Sequence, residues 1–287
     1  MPTARNGDRA AILIEGPDAG HFLQNVLTVD LDGLGAAEAR PGALLTPQGK
    51  ILFDFLIARR GDDGFLIDVA AGSANDLARR LMLYRLRAKA EISVADQMVV
   101  STRWQDDSAA SRTDSSWLAD RRFPDDAGVF RRYGEAVATD AAPGDYDRLR
   151  IAHGVAECGR DFASGDAFPH DVLMDENGGV GFRKGCYVGQ EVVSRMQHRG
   201  TARRRIMIAG GAAELPDAGT QVEAGGRAIG TLGSASGRQG LAIVRIDRVR
   251  DARERGLAIT AGGVALSLSI PPAAKYMLPQ AAGADED

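Results

Sequence analysis

The stretch ILFDFLIARRGDDGFLIDVA, residues 51–70, holds two apolar runs, Ile51 to Ala58 and Phe65 to Ala70, on either side of Arg-Arg-Gly-Asp-Asp-Gly. Bulky residues flanking a break rich in glycine and aspartate form a strand-turn-strand signal. Upstream, Ala10 to Ile14 reads as another strand. Gly16-Pro17 then opens a helix, because a proline near the first turn gives up an N–H that would have no helical partner anyway. Phe22, Leu23, Val26 and Leu27 provide its apolar face. Downstream, Ser73 followed by Asp76 is a capping-box pattern, heading a helix through Leu77, Leu81, Tyr84 and Lys89. Glu91 to Val94 and Gln97 to Thr102 read as short strands. The order strand, helix, strand, strand, helix, strand predicts a ferredoxin-like split βαβ plan, an α+β fold.

Trp104 to Asp147 has little periodicity and is punctuated by Asp125-Asp126-Ala127-Gly128 and Pro143-Gly144, so it is expected to hold short elements and exposed loops. Tyr146 to His153 restarts a helical pattern. After Gly200 come Arg203 to Ala209, Gln221 to Ala224, Arg227 to Leu232, Leu241 to Ile246 and Val264 to Ile270, short β-like runs divided by glycines. Such spacing predicts a small barrel. The expected domains are therefore 1–200, with two interleaved parts, and a β-barrel over 201–280, with a frayed tail over 281–287.

The chain has 287 residues, 44% of them hydrophobic and 26% charged, with a net charge of −4. That describes an ordinary globular protein with no global pull toward nucleic acid or anionic membrane. Two cysteines, 28 positions apart, make no disulfide framework. With no apolar N-terminal segment and no long apolar run, a cytoplasmic protein is expected, with no membrane contact and no direct nucleic-acid binding.

The densest chemistry lies in Lys184-Gly185-Cys186-Tyr187-Val188-Gly189-Gln190-Glu191, after a lead-in containing Gly178, Gly179 and Gly181. A thiol beside a cation is a candidate nucleophile or metal ligand, while the structural alternative is a small buried filler in a tight turn. Gly42 to Lys50 lacks the spacing and the Ser or Thr of a phosphate loop and runs into a strand. The four histidines make no close pair for zinc, and His170 reads as a solvated loop residue. Arg195, His198, Arg199 and Arg203 to Arg205 form the one strong basic cluster. Alternation along a strand splits it between two faces, so it reads as a solvated sheet surface.

The 184–191 motif resembles the signature of the YgfZ proteins, folate-binding iron–sulfur assembly factors related to the T-protein of the glycine cleavage system. Phe22-Leu23-Gln24-Asn25 with Thr28 and Asp30, Leu44 to Lys50, and Arg150 to Gly154 with Glu157, Gly159 and Asp161 resemble further family segments. The resemblance covers most of the chain. It implies a T-protein-type folate-binding region followed by the barrel. It implies tetrahydrofolate or a derivative as cofactor, with Asp161 accepting paired hydrogen bonds from a pterin. A turn or capping aspartate is the plainer alternative there. Arg150, Gln190 and Glu191 are carried along as cofactor-binding residues. Cys186, with Lys184 beside it, is the functional thiol and possible ligand of a transient iron–sulfur cluster, since one cysteine cannot hold a cluster alone.

The function so implied is assembly or repair of iron–sulfur clusters for client or carrier proteins, including enzymes that modify tRNA. A non-enzymatic factor is expected rather than an enzyme. The competing class is a tetrahydrofolate-dependent aminomethyl transferase. The Asn-containing turn and lysine-aspartate pair expected of that class are missing near Asp68 to Asp76, and Cys186 stands where the T-protein is normally acidic.

Overall fold

The computed structural model describes residues 1–105, 114 and 116–279. The frayed tail expected beyond Pro279 lies outside them, as does part of the 104–147 region. The chain divides into two compact units. One comprises 1–146, 164–169 and 174–198, and the other 147–163, 170–173 and 199 onward. Besides the residues from 199 onward, the second unit takes in two segments that precede the expected boundary at residue 200.

In the first unit, β1 (Thr3–Arg5), β2 (Arg9–Glu15), β3 (Glu38–Leu45), β4 (Ile51–Arg60), β5 (Gly64–Ala70), β6 (Glu91–Val94), β7 (Val99–Arg103), β8 (Leu118–Asp120) and β9 (Phe130–Gly134) form one sheet. Its order is β1-β7-β9-β8-β3-β4-β5-β2-β6. The run β4-β5-β2-β6 is antiparallel throughout, and the helices α1 (Ala19–Gln24) and α2 (Ala74–Arg85) make the crossovers of the split βαβ plan. Ile12, Ile14, Phe55, Ile57, Phe65 and Ile67 alternate onto one face and pack against Leu23, Leu77 and Leu81 of the helices.

Three local expectations differ from the fold. Strand β3 is absent from the sequence reading because Pro41 and Gly42 occupy its middle. Both are accommodated: β8 pairs only with Glu38 and Ala39, and a side chain at Gly42 would come within 2.8 Å of Val29 and 2.9 Å of Phe55. The capping box does not form, as Ser73 makes no side-chain cap and Asp76 instead pairs with Arg79. Helix α2 stops at Arg85, short of Lys89, because Leu86 takes a positive φ of 49°. The short elements expected after Trp104 include β8 and β9, which join the sheet.

A buried ionic network ties this sheet together. Asp68, wholly buried, accepts from Arg9 Nε at 2.6 Å and from the Tyr133 hydroxyl at 3.2 Å, and it lies 3.6 Å from Arg131. Arg131 donates to Asp120 at 3.0 Å, and Arg122 pairs with the same carboxylate at 2.8 Å. Burial pushes the Asp120 carboxyl up, but Arg122 and Arg131 outweigh it and hold the group below the usual carboxylate range.

In the second unit, β10 (Arg204–Gly211), β11 (Gln221–Ala224), β12 (Arg227–Ser236), β13 (Gln239–Arg245), β14 (Ile259–Ala261) and β15 (Val264–Ser269) close a barrel in the order β10-β13-β12-β11-β14-β15. Pairing of β10 with β15 completes it, from Ile208 opposite Ser269 to Gly211 opposite Leu266. Helix α5 (Ile246–Glu254) buries Ile246, Val249 and Ala252 in the same core as Met207, Val222 and Val244. Within this unit Arg205 is buried. It donates to the His170 carbonyl at 2.6 Å and stacks on Tyr276, so the solvated-face expectation fails for it. His170 is itself only 1% exposed, a correction to the solvated loop residue expected from its neighbours.

Truncation of Asp68 to alanine would leave Arg9 and Arg131 buried without their shared counter-charge. The expected loss is about 3–5 kcal/mol of stability, measurable by urea denaturation. A loss under about 1 kcal/mol would show that the network is dispensable.

Candidate functional site

Three segments that the sequence offers separately meet in the first unit. The chain leaves α1 through Val26 and Leu27 into a turn where Thr28 acts as a junction. Its hydroxyl donates to the Gly179 carbonyl at 2.7 Å and accepts from the Ala43 N–H at 2.9 Å, while its carbonyl accepts from the Gly181 N–H at 2.8 Å. Gln24 braces the same turn, donating to Asp30 and accepting from the Leu31 N–H, each at 2.8 Å. In the sequence, Gln24, Thr28 and Asp30 enter only as members of a motif. The structure gives each a definite partner.

Lys184 completes this junction. Its ammonium donates to the carbonyls of Leu27 at 2.7 Å and Val29 at 2.8 Å, and sits 5.3 Å from the centre of the Tyr187 ring. Burial lowers its pKa to about 8, against the opposing pull of Asp30 and Asp32. Tyr187 is buried, its pKa raised by that burial to about 12, and its hydroxyl has no partner among the described residues.

Beyond it, Gly189 takes φ 79° and packs against the β3–β4 turn. A side chain there would lie 2.6 Å from the Thr46 carbonyl and 3.0 Å from Gly49, so only glycine fits. The turn is closed by its own hydrogen bonds, from Thr46 N to the Lys50 carbonyl at 2.8 Å and from Gly49 N to the Thr46 carbonyl at 2.9 Å. Helix α4 (Gln190–Arg199) begins directly after, α3 (Asp145–His153) being the helix at the start of the second unit.

Between these anchors Cys186 is exposed. That excludes the buried-filler alternative for this thiol. Gly185, next to it, has open space where a side chain would go. Cys158 belongs to the other unit and is half-buried. Among the described residues no group of three or more His, Cys, Asp or Glu is arranged to hold a metal.

Arg150 and Asp161 come together in the second unit. Asp161 is buried and accepts from Arg150 Nη1 at 2.7 Å, from the Glu157 N–H at 2.8 Å and from the Ser234 N–H at 2.7 Å. Arg150, also buried, donates further to Asp147 at 2.8 Å and to the Ser234 hydroxyl. Burial opposes its charge, but Asp161, Glu157 and Asp147 outweigh it and keep it protonated. The pair joins the 147–163 segment to strand β12 of the barrel. Glu191 lies exposed on α4, 3.6 Å from Arg195, and Gln190 opens that helix. Of the four residues expected to hold a folate, two are therefore committed inside the fold and one lies on an outer helix face.

Two outcomes follow from this geometry. Lys184 titrates lower in the folded chain than the 10.5 of a free lysine. Its contribution is therefore greatest above that value and falls away as pH drops through about 8. The gap in thermal midpoint between wild type and Lys184→Met should widen as pH rises across that interval, and a constant gap would contradict the assignment. Asp161→Ala should cost about 3–5 kcal/mol, because Arg150 is left buried without its main partner. Equal stability of the variant in denaturant titrations would refute that role.

Two family models match the chain: the GCVT N-terminal domain over residues 9–105, and the CAF17 C-terminal beta-barrel domain over residues 203–276. A solved structure, the glycine cleavage system aminomethyltransferase T from Bartonella henselae, aligns with TM-score 0.70 over 95% of this chain and 86% of its own, at 17% identity. That likeness shows a shared fold. Among curated proteins, the iron-sulfur cluster assembly factor IBA57 homolog of Phaeosphaeria nodorum is 30% identical, over 85% of this chain and 70% of its own. Its counterpart from Pyricularia oryzae is 35% identical over 69% and 54%, and the human protein is 29% identical over 92% and 82%. The chain spans about half the length of several of the curated relatives it matches. All three are described as mitochondrial, which overturns the expectation of a cytoplasmic protein. With a GCVT-type domain, a CAF17-type barrel and a relative 30% identical of whose length it covers 70%, this chain belongs to the IBA57 family of iron-sulfur cluster assembly factors.

Proposed function

We propose that this chain assists iron–sulfur cluster assembly by presenting the Cys186 thiolate as one ligand to a cluster shared with a carrier or client protein, or with a small thiol. The observation that carries this reading is an exposed thiol on a loop fixed from both sides, by Lys184 before it and Gly189 after it. Soft sulfur suits iron, and a cluster takes four such ligands. One cysteine supplies one of them, so the others come from outside the chain. Binding releases the thiol proton to solvent. The cluster is cargo, received and passed on. Iron–sulfur enzymes, tRNA-modifying ones among them, are the clients this reading implies.

Lys184 acts here as a positioning residue. Two of its three donors are spent on backbone carbonyls, and its role is to hold the loop rather than to move a proton. Tetrahydrofolate or a derivative is the ligand a GCVT-type domain implies. No observation favours aminomethyl transfer.

Cys186→Ala should fold as the wild type does, since the side chain is exposed. Anaerobic incubation with ferric iron, sulfide and glutathione should give cluster absorbance with wild type and little with the variant. Equal cluster content in the two, at matched circular dichroism, would sink the ligand role.

A further inference from the structure

One corner of the first unit carries features that the Cys186 reading leaves unused. The C-terminal half of α2 exposes Met82 (45%) and Leu83 (70%), and Leu86 just beyond it is 85% exposed. Three of the six exposed large hydrophobic residues among those described thus fall within five positions. Leu86 also takes φ 49°, a conformation that glycine adopts far more easily than leucine. A side chain this exposed gains little from packing within the unit, so burial there does not account for a leucine. A strained, solvent-facing apolar residue is better explained by burial in a complex.

The surroundings define the kind of partner. A groove of about 600 Å³ runs between the Glu15–Pro17 bend and the Arg85–Glu91 connection. Arg80, Arg87 and Lys89 are exposed and have no ion-pair partner among the described residues. Arg85 spends Nη1 on the Ala90 carbonyl at 2.9 Å, and its Nε is buried without a partner. The nearby acids are mostly engaged: Asp76 with Arg79, Glu15 with Arg60 at 3.6 Å, and Asp18 with the Lys89 N–H at 2.7 Å. Among the described residues, Glu91 and Asp18, whose carboxylate keeps its charge while accepting from the Lys89 N–H, remain to offset Arg80, Arg85, Arg87 and Lys89.

We propose that this groove and the Met82, Leu83 and Leu86 patch dock an acidic segment of a partner protein that bears large apolar side chains. Charge complementarity selects the acids, and Pro17, Leu86, Ala88 and Ala90 of the lining, with Met82 and Leu83 beside it, select the apolar side chains that lie among them. A bilayer surface would meet a concavity rimmed by Glu15 and Glu91, and single-stranded nucleic acid would find aliphatic side chains where stacking needs rings. The inference is independent of Cys186, which lies in another part of the chain.

A displayed library of random peptides tests it. Selection is on wild-type protein, with Leu83→Ser/Leu86→Ser and Arg87→Glu/Lys89→Glu as counter-selecting proteins. Peptides retained by wild type should carry several acidic residues and at least one large apolar one. Synthesised and measured by fluorescence anisotropy, they should weaken by about tenfold or more with either variant, and weaken further as salt rises. Leu86→Gly should bind as poorly as the serine variant while melting no lower than wild type. The proposal is overturned if the retained peptides lack acidic residues or bind both variants like wild type. It is equally overturned if phosphatidylcholine–phosphatidylglycerol vesicles, and no peptide, bind through Leu83 and Leu86. Self-association of wild type that Leu86→Gly abolishes would also overturn it, by making a second copy the occupant.

Discussion

The contact between the Lys184 ammonium and the carbonyls of Leu27 and Val29 is the one on which the rest of the site depends. Those carbonyls follow a helix of only six residues, where the chain turns away before any regular ladder can satisfy them. Buried backbone acceptors must find donors, and here a side chain more than 150 residues downstream provides them. The half-buried amine is harder to charge than a free one, and its pKa falls to about 8. In return the 178–191 loop is bound to the turn after α1. Thr28 and Gly181 reinforce that join, and Gly189 seats the far end on the β3–β4 turn. Cys186 is left between two fixed points and in contact with solvent.

Each unit also has its own ionic centre, and both are built from arginine and aspartate. Asp68 and Asp120 with Arg9, Arg122 and Arg131 link strands of the sheet, while Arg150 and Asp161 link helix α3 to the barrel strand β12. Arginine suits this work, since its planar fork serves several acceptors at once and it stays charged when buried. Buried pairs of this kind are weak evidence of net stability but strong constraints on geometry, because removing one partner strands the other. Asp161 is thus engaged by Arg150 and by the Glu157 and Ser234 N–H groups.

How far the sequence discloses this depends on the distance over which each signal acts. The apolar runs 51–58 and 65–70 form strands because their signal is local, and the same holds for Gln221 to Ala224. Strand β3 escapes because its proline and glycine are tolerated only through the partial pairing of β8 and the bulk of Val29 and Phe55. Ser73 and Asp76 have the spacing of a capping box, yet Arg79 competes for the carboxylate. His170 looks like a loop residue and is buried, and no local pattern shows the neighbours that enclose it. Asp161 is legible as an interesting acid, but its hydrogen bond to the Ser234 N–H spans 73 positions and cannot be read from either segment. The motif 184–191 is recognisable from its residues. The reason for its lysine lies at Leu27 and Val29.

The fixed thiol and the basic apolar corner of α2 are different instruments. The first has the chemistry to ligate iron and too few ligands to retain it. The second has the shape and charge to recognise a partner and no chemistry of its own. An assembly factor needs both kinds of contact. The central claim, that Lys184 holds the loop in which Cys186 is presented, is tested most directly by amide hydrogen exchange on wild type and Lys184→Met. Faster exchange confined to the 24–30 and 178–191 segments, with the barrel unchanged, is the predicted result. Unchanged protection in both segments would contradict the account.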